Sequence, residues 1–156
     1  MAVLAVTLSG AVVTPPGGVV TAVNLTPVAN VSAMSYDGQP VANGGLDVHG
    51  NAYSKNLLGA SVLWSGSTFT LGAGVANAAS SISIPLPAGN FGTLQLLATG
   101  LNGNQANQTL TVTYTDGTTT RLTQSFSDWW ASQGYAGESI ASVRPSDEPG
   151  PLGITD

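Results

Sequence analysis

The residues best suited to ligand chemistry are the tryptophans of Ser127-Asp-Trp-Trp130. Saccharides are bound when their C–H faces lie on aromatic rings while carboxylates and amides bond the hydroxyl groups. Because neighbouring positions on a strand point to opposite faces, one tryptophan of the pair can be a packing residue while the other is exposed. We assign Asp128 and Trp129 as candidate ligand-binding residues, with a pure packing role for at least one tryptophan as the alternative.

A second candidate lies in the glycine-rich loop from residue 43 to residue 53. This loop holds Asp47, His49, Asn51 and Tyr53, and we assign Asp47, Asn51 and Tyr53 as candidate ligand-binding residues. Their oxygens could contact a glycan or, together with backbone carbonyls, hold a calcium ion, although no specific calcium motif is present. The alternative is that glycines and Asx residues simply build a long turn. We therefore expect no cofactor.

Catalytic chemistry is poorly provided for. Asp128 and Glu138 form the only close carboxylate pair outside the C-terminal tail, whereas a glycosidase needs two such groups about 5 to 10 Å apart across a cleft. Glu138 is better explained as ordering its own turn through backbone N–H groups. His49 is the only histidine, no serine nucleophile motif lies near it, and cysteine is absent. We expect no enzyme, no catalytic residues and no metal site.

Length and charge restrict the partners. The chain has 156 residues, of which 7% are charged, and its net charge is −5. One domain is expected at this length. With only Lys55, Arg121 and Arg144 as cations, no basic stripe could neutralise a phosphate backbone, so nucleic acid is excluded. The apolar start Met1–Leu8 has no preceding positive charge and is too short to span a membrane, which indicates a strand rather than a signal or an anchor.

Strand patterns dominate the chain, with short alternating runs separated by Gly, Pro and Asn. The clearest unit is the hairpin of 109–114 and 118–126 around Asp116-Gly117, and a second hairpin joins 62–64 to 68–71. No segment shows a convincing helical period. The fold class is therefore all-β, an antiparallel β-sandwich. Further strands are predicted at 2–8, 19–25, 81–86 and 91–98, with 81–86 and 91–98 in the core.

Two segments separate these elements. Thr14-Pro-Pro-Gly-Gly18 resembles an interdomain joint, because its prolines stiffen the chain and its glycines free it. The predicted organisation is thus an apolar strand at 1–13, a linker at 14–18, a β-sandwich domain at 19–143 and a flexible Pro-rich tail at 144–156.

The stretch from Val41 to Glu138 resembles a domain found in multidomain exported proteins of soil and plant-associated bacteria. The motifs that carry the resemblance include Asn43-Gly-Gly-Leu-Asp47, Leu96-Leu-Ala-Thr-Gly-Leu-Asn-Gly-Asn104, Val112-Thr-Tyr-Thr-Asp-Gly117, Gln124-Ser-Phe-Ser-Asp-Trp129 and Tyr135-Ala-Gly-Glu138. The resemblance implies a jelly-roll or galactose-binding-like sandwich of the carbohydrate-binding-module type. In that family the domain is appended to peptidases, phosphoesterases and glycoside hydrolases.

The sequence departs from the family pattern after Glu138, where the family continues through further strands and this chain turns to Arg144-Pro145. Met1–Leu8 resembles the closing strand of the same domain type. The chain is accordingly interpreted as a partial copy, with a circular permutation as the alternative. Strands left uncovered in a partial domain would expose a sheet edge and favour self-association.

The functional prediction combines these observations. We expect a non-catalytic accessory domain that binds carbohydrate in an exported bacterial protein, secreted or at the cell surface, with no membrane-spanning segment. One alternative is a structural or spacer domain of a surface protein that binds no ligand. A second alternative is a fragment of a secreted hydrolase. The part of this prediction that rests on the fold class is an argument by analogy with other β-sandwich domains.

Overall fold

A computed structural model describes residues 6–141, and its regular elements are almost all strands. One four-residue helix, α1 (Lys55–Leu58), and the 3-10 turns Thr26–Val28 and Ala42–Gly44 interrupt them. The strands are β1 (Val6–Thr14), β2 (Thr21–Ala22), β3 (Met34–Ser35), β4 (Tyr53–Ser54), β5 (Ser61–Trp64), β6 (Ser67–Thr70), β7 (Ala79–Ser80), β8 (Thr93–Gly100), β9 (Gln105–Thr113) and β10 (Thr119–Phe126).

The antiparallel pair β1–β8 forms the centre of the fold. Its register runs from Val6 opposite Gly100 to Thr14 opposite Thr93, with an irregularity between Leu8 and Gly10. The other side of β1 pairs with β7 near its start and with β2 near its end. β1 is therefore paired along nearly its whole length on one edge and near both ends on the other, and this strand holds together elements from distant parts of the sequence.

Both faces of the β1–β8 pair are buried, and the period of two along each strand sorts the side chains between two clusters. Val12 and Leu97 lie in one cluster with Phe69, beneath the β5–β6 hairpin. Ala11, Val13 and Ala98 lie in the other cluster with Phe126. Apolar residues at consecutive positions of β1 are thus explained by cover on both sides.

The two predicted hairpins are confirmed. Strands β5 and β6 pair from Ser61 opposite Thr70 to Trp64 opposite Ser67. Strands β9 and β10 pair over most of their length, and the turn between them is closed by Asp116, whose Oδ1 accepts from Thr118 N at 2.9 Å. The outward face of β9 carries exposed threonines while Leu110 and Val112 are half-buried, as the alternation predicted.

Two predicted strands are wrong in whole or in part. Residues 81–86 form no strand, because Ser81 has a φ of +54° and Pro85 lacks an N–H, and Ile82 is 49% exposed instead of lying in the core. Of 19–25, only Thr21–Ala22 pairs with β1. The strand predicted at 91–98 is present but runs from Thr93 to Gly100.

The segment 14–18 is a tight turn rather than an interdomain joint. Gly18 N donates to Pro15 O at 3.0 Å, and the strands on either side of this segment pair with each other in one sheet. The apolar start forms part of the same domain, since β1 is its central strand. Residues 1–5 and the predicted flexible tail at 144–156 lie outside the described part of the chain.

A groove of about 410 Å³ separates β8 from β10. Its walls include Leu94 and Leu96 on one side and Leu110 and Leu122 on the other. Within residues 6–141, β8 has β1 as its one strand partner, and only Gly100 at its end bridges across to Asp128. The predicted self-association through uncovered strands would use such an edge, and it stays a prediction.

Side-chain amides replace strand pairing between the short elements. Asn77, 1% exposed, accepts from Met34 N at 2.9 Å and donates to Met34 O at 2.7 Å, as a neighbouring strand would do. Asn30 makes the same pair of bonds to Ser80 N and O, both at 2.9 Å, but at an exposed position. The two asparagines attach the segments 30–34 and 77–80 to one another.

These two clamps predict different costs of removal. Asn77→Ala leaves the buried N–H and C=O of Met34 without these partners, and we expect a loss of roughly 2 to 4 kcal/mol in unfolding free energy. Asn30→Ala should cost less than about 1 kcal/mol, since water can replace an exposed amide. Urea unfolding of the two variants measures the difference. Equal losses of unfolding free energy in the two variants would contradict the inference that Asn77 takes the place of a neighbouring strand beside Met34.

Candidate functional site

Asp128 joins two loops at one end of the sandwich. Its Oδ2 accepts from Gly103 N at 2.7 Å, and its Oδ1 accepts from Trp130 N at 2.9 Å. Its own N–H donates to Asn104 Oδ1 at 2.9 Å. Asp128 thus holds the 101–105 connection between β8 and β9 against the segment 128–130. Three residues of this unit, Asn102, Asn104 and Trp130, are exposed, and Asp128 is half-buried. We call the surface that these four residues form the Trp130 surface.

The tryptophan pair divides between core and surface, and the exposed member is not the one assigned from the sequence. Trp129 is 9% exposed and belongs to the first core cluster, whereas Trp130 is 55% exposed. The two rings meet edge to face, with centroids 5.5 Å apart and planes at 81°. Trp129 N also donates to Gly100 O at 3.2 Å. Trp129 is therefore a packing residue, and its backbone is bonded to the last residue of β8.

Tyr53 likewise lies in the core and not in a surface loop. Strand β4 directs its ring inward, where it is 2% exposed and meets Trp129 edge to face at 6.1 Å. The assignment of Tyr53 as a ligand-binding residue is therefore wrong, because a ring buried to this extent presents no face to a ligand. The contact does bring the two predicted regions together through a row of rings formed by Tyr53, Trp129 and Trp130.

Asp47 and Asn51 build the loop in which they lie. Asp47 Oδ1 accepts from His49 N at 3.0 Å and from Asn51 N at 3.3 Å, and Oδ2 accepts from Asn51 Nδ2 at 2.6 Å. Leu46 N donates to Asn51 O at 2.7 Å and closes the loop. This geometry matches the Asx-turn alternative. It engages both carboxylate oxygens of Asp47 in bonds that a ligand would have to share.

Opposing effects act on the pKa of Asp47. Partial burial raises it, but the hydrogen bonds from the Asn51 side chain and from the backbone of His49 and Asn51, together with the charge effect of His49, outweigh burial. The pKa of the carboxyl group is therefore lowered from its usual value of 3.8. The folded state favours the ionised form of Asp47.

Glu138 closes the neighbouring turn, as predicted. Its Oε2 accepts from Tyr135 N at 3.0 Å and from Ser127 Oγ at 2.7 Å, and its Oε1 accepts from Ser127 N. Ser127 has no exposed surface, and its carbonyl accepts from Gly100 N at 2.7 Å. Glu138 and Asp128 thus fix the chain on either side of Ser127. Both carboxylates are held by backbone groups rather than aimed together across a cleft.

Trp130 and Asn104 are both exposed but are not among the candidate ligand-binding residues assigned from the sequence. The opposite-face rule allows one tryptophan to be exposed without saying which one, since that depends on the path of the chain after β10. The amides of Asn102, Asn104 and Gln105 could bind hydroxyl groups, but Asn-Gly is first of all a turn former, so the sequence favours a turn there. A signal for Asn104 was present in the spacing, because an amide that follows an Asn-Gly turn can reach a neighbouring backbone N–H.

Residues 6–141 show neither a cluster of metal ligands nor a membrane-spanning helix. In this part of the chain no group of three or more His, Cys, Asp or Glu side chains is placed to hold a metal ion. None of the helices in the same range is long and apolar enough to cross a bilayer.

Comparison with known proteins gives one match. Residues 20–145 match the family described as AziU2-like beta-sandwich domain. The match confirms the predicted all-β sandwich. No curated protein and no solved structure matches the chain.

Removing each tryptophan ring should lower stability by a very different amount. Trp129→Ala removes a buried ring that packs against Tyr53 in the first core cluster. We expect a loss of about 3 to 5 kcal/mol in unfolding free energy. Trp130→Ala should cost less than about 1 kcal/mol, because the ring is more than half exposed. Chemical denaturation followed by circular dichroism measures both. Similar losses for both variants would argue against the division into core and surface.

The lowered pKa of Asp47 predicts a dependence of stability on pH. Because the folded-state value is below that of the unfolded chain, the ionised group stabilises the fold above about pH 4, and this contribution is lost as the pH falls through the folded-state value. Asp47→Asn should therefore be less stable than the wild type at pH 6, with the difference shrinking towards pH 3. Urea midpoints between pH 3 and pH 7 test this. A stability difference between wild type and variant that does not change with pH would refute the claim that ionised Asp47 stabilises the loop.

Proposed function

The chain belongs to the AziU2-like β-sandwich domain family, and on that scaffold we propose a non-catalytic domain of the carbohydrate-binding-module type. The ligand lies on the Trp130 surface. The single observation that carries the proposal is the exposure of Trp130, 55% of whose surface is accessible although its neighbour Trp129 is buried. An exposed tryptophan offers a broad apolar face on which the C–H face of a saccharide can lie, and its N–H can bond a polar group at the same time.

The backbone around Trp130 supports the proposal because it holds the ring in place before any ligand arrives. Trp130 N donates to the Asp128 carboxylate, and the Trp130 ring meets the Trp129 ring edge to face. A binding surface that is already ordered loses less conformational entropy on association.

The adjoining connection is fixed in the same way. Gln105 Nε2 donates to Leu101 O at 2.8 Å and to Gly103 O at 3.2 Å, and Gly103 N donates to Asp128. Asn102 and Gly103 adopt positive φ angles of 58° and 104°, which tighten the connection at its tip. Asp128 thus ties a connection that carries amide groups to the segment that carries an exposed aromatic ring. Amides and a ring face are the groups that bind saccharide hydroxyl groups and C–H faces.

A spacer domain is the second candidate, and one observation favours it. The carboxylates of Asp47, Asp128 and Glu138 all accept hydrogen bonds from backbone N–H groups. Each of these acids therefore has a structural role that is sufficient to explain its presence. A spacer would need these turns and would not need an exposed Trp130.

Affinity electrophoresis in gels that contain neutral polysaccharides tests the proposal. We expect the wild type to be retarded by at least one glucan, xylan or galactan. Trp130→Ala should reduce the affinity by about tenfold or more, since loss of a central aromatic contact commonly costs over 1.4 kcal/mol.

Tyr114→Ala provides the matched control. Tyr114 is also an exposed aromatic residue, 50% accessible, but it lies at the far end of the β9–β10 hairpin, roughly 30 Å along the strands from the Trp130 surface. This variant should bind like the wild type. Equal losses for both variants would point to non-specific adhesion of aromatic rings, and absence of binding in the wild type would favour the spacer.

A further inference from the structure

Asn104 has one half of its amide committed to the fold and the other half available. Its Oδ1 accepts from Asp128 N at 2.9 Å, and the side chain is exposed. No described residue accepts a hydrogen bond from Asn104 Nδ2. Because an amide group is planar, the bond at Oδ1 also fixes the direction of the Nδ2 donors. Two donors are thereby held at a defined place on the connection that Asp128 bonds to the segment carrying Trp130.

Asn102, the neighbouring amide, differs in this respect. Its side chain makes no hydrogen bond to any described residue, and it is exposed at the tip of the connection with a φ of +58°. Its rotamers are not fixed by a bond, so ordering the side chain on a ligand costs conformational entropy. Of the two amides, Asn104 is the one prepared to bind.

We propose that Asn104 is a ligand-contacting residue whose Nδ2 donates a hydrogen bond to a hydroxyl oxygen of a neutral saccharide stacked on Trp130. This inference rests on the proposed function and adds to it the polar contact and the ligand class. A hydroxyl oxygen is the acceptor that a saccharide offers next to its C–H face.

The charge of the chain selects against the other class of saccharide acceptor, a uronic acid carboxylate. The net charge is −5 with only three cations, so an anionic polysaccharide is repelled at low ionic strength. Of the cations, Lys55 is already engaged, since its Nζ donates to the carbonyls of Ala73 and Gly74 at 3.2 and 3.1 Å.

The test measures binding of neutral hexasaccharides of glucose, xylose and galactose, with hexagalacturonate as the acidic comparator. Asn104→Asp keeps an oxygen that accepts from Asp128 N but removes the donors, and we expect affinity for the neutral ligand to fall about fivefold. Asn107→Asp adds the same charge at an exposed amide of β9 that is not part of the Trp130 surface, and this matched control should bind like the wild type. Thermal unfolding verifies that all variants fold.

Monodeoxy analogues of the bound saccharide separate a lost donor from an added negative charge. If Asn104 donates to one hydroxyl, the analogue that lacks this hydroxyl should bind the wild type and Asn104→Asp with nearly equal affinity. Retention of full affinity in Asn104→Asp, while Trp130→Ala loses it, overturns the assignment of Asn104 alone. A wild type that binds no saccharide overturns the proposed function as well, and preference for hexagalacturonate overturns the ligand class.

Discussion

The burial of both faces of the β1–β8 pair is the constraint on which the rest of this fold depends. Val12 faces one apolar cluster and Val13 the other, so neither cluster forms unless this pair is in place. The flanking hairpins are local in sequence and are closed by their own turns, but each needs the central pair as the surface on which to pack. The loops that carry candidate ligand groups are positioned by the ends of these central strands.

Polar side chains supply the order that the short strands lack. Strands β3, β4 and β7 have two residues each, too few for pairing to hold them. Asn77 and Asn30 bond the backbone of other segments in the manner of a strand, and Asp47, Asp128 and Glu138 do the same for turns. With 7% charged residues, most of the few acids described here serve the backbone, and this explains how a weakly charged chain maintains long irregular connections.

The sequence was informative where the signal is local and less so where it depends on distant neighbours. Hairpins around Ser65-Gly66 and Asp116-Gly117 follow from turn chemistry and alternation. The alternation at 81–86 failed, because a residue with positive φ and a proline prevent pairing whatever the apolar pattern. The burial of Tyr53 and Trp129 arises from a contact between segments 76 residues apart in sequence. No local pattern reports such a contact, so the sequence leaves both rings as candidates for a ligand.

The same distinction identifies which groups remain for a ligand. A carboxylate that already accepts two backbone hydrogen bonds, such as that of Asp128, gains less from a saccharide hydroxyl than from keeping its loops together, since breaking these bonds leaves backbone donors unpaired. The Nδ2 group of Asn104, from which no described residue accepts a hydrogen bond, incurs no such loss. In the proposed saccharide site, recognition would therefore depend on Trp130 and on donors such as Asn104, while the acids hold the backbone of those residues in position.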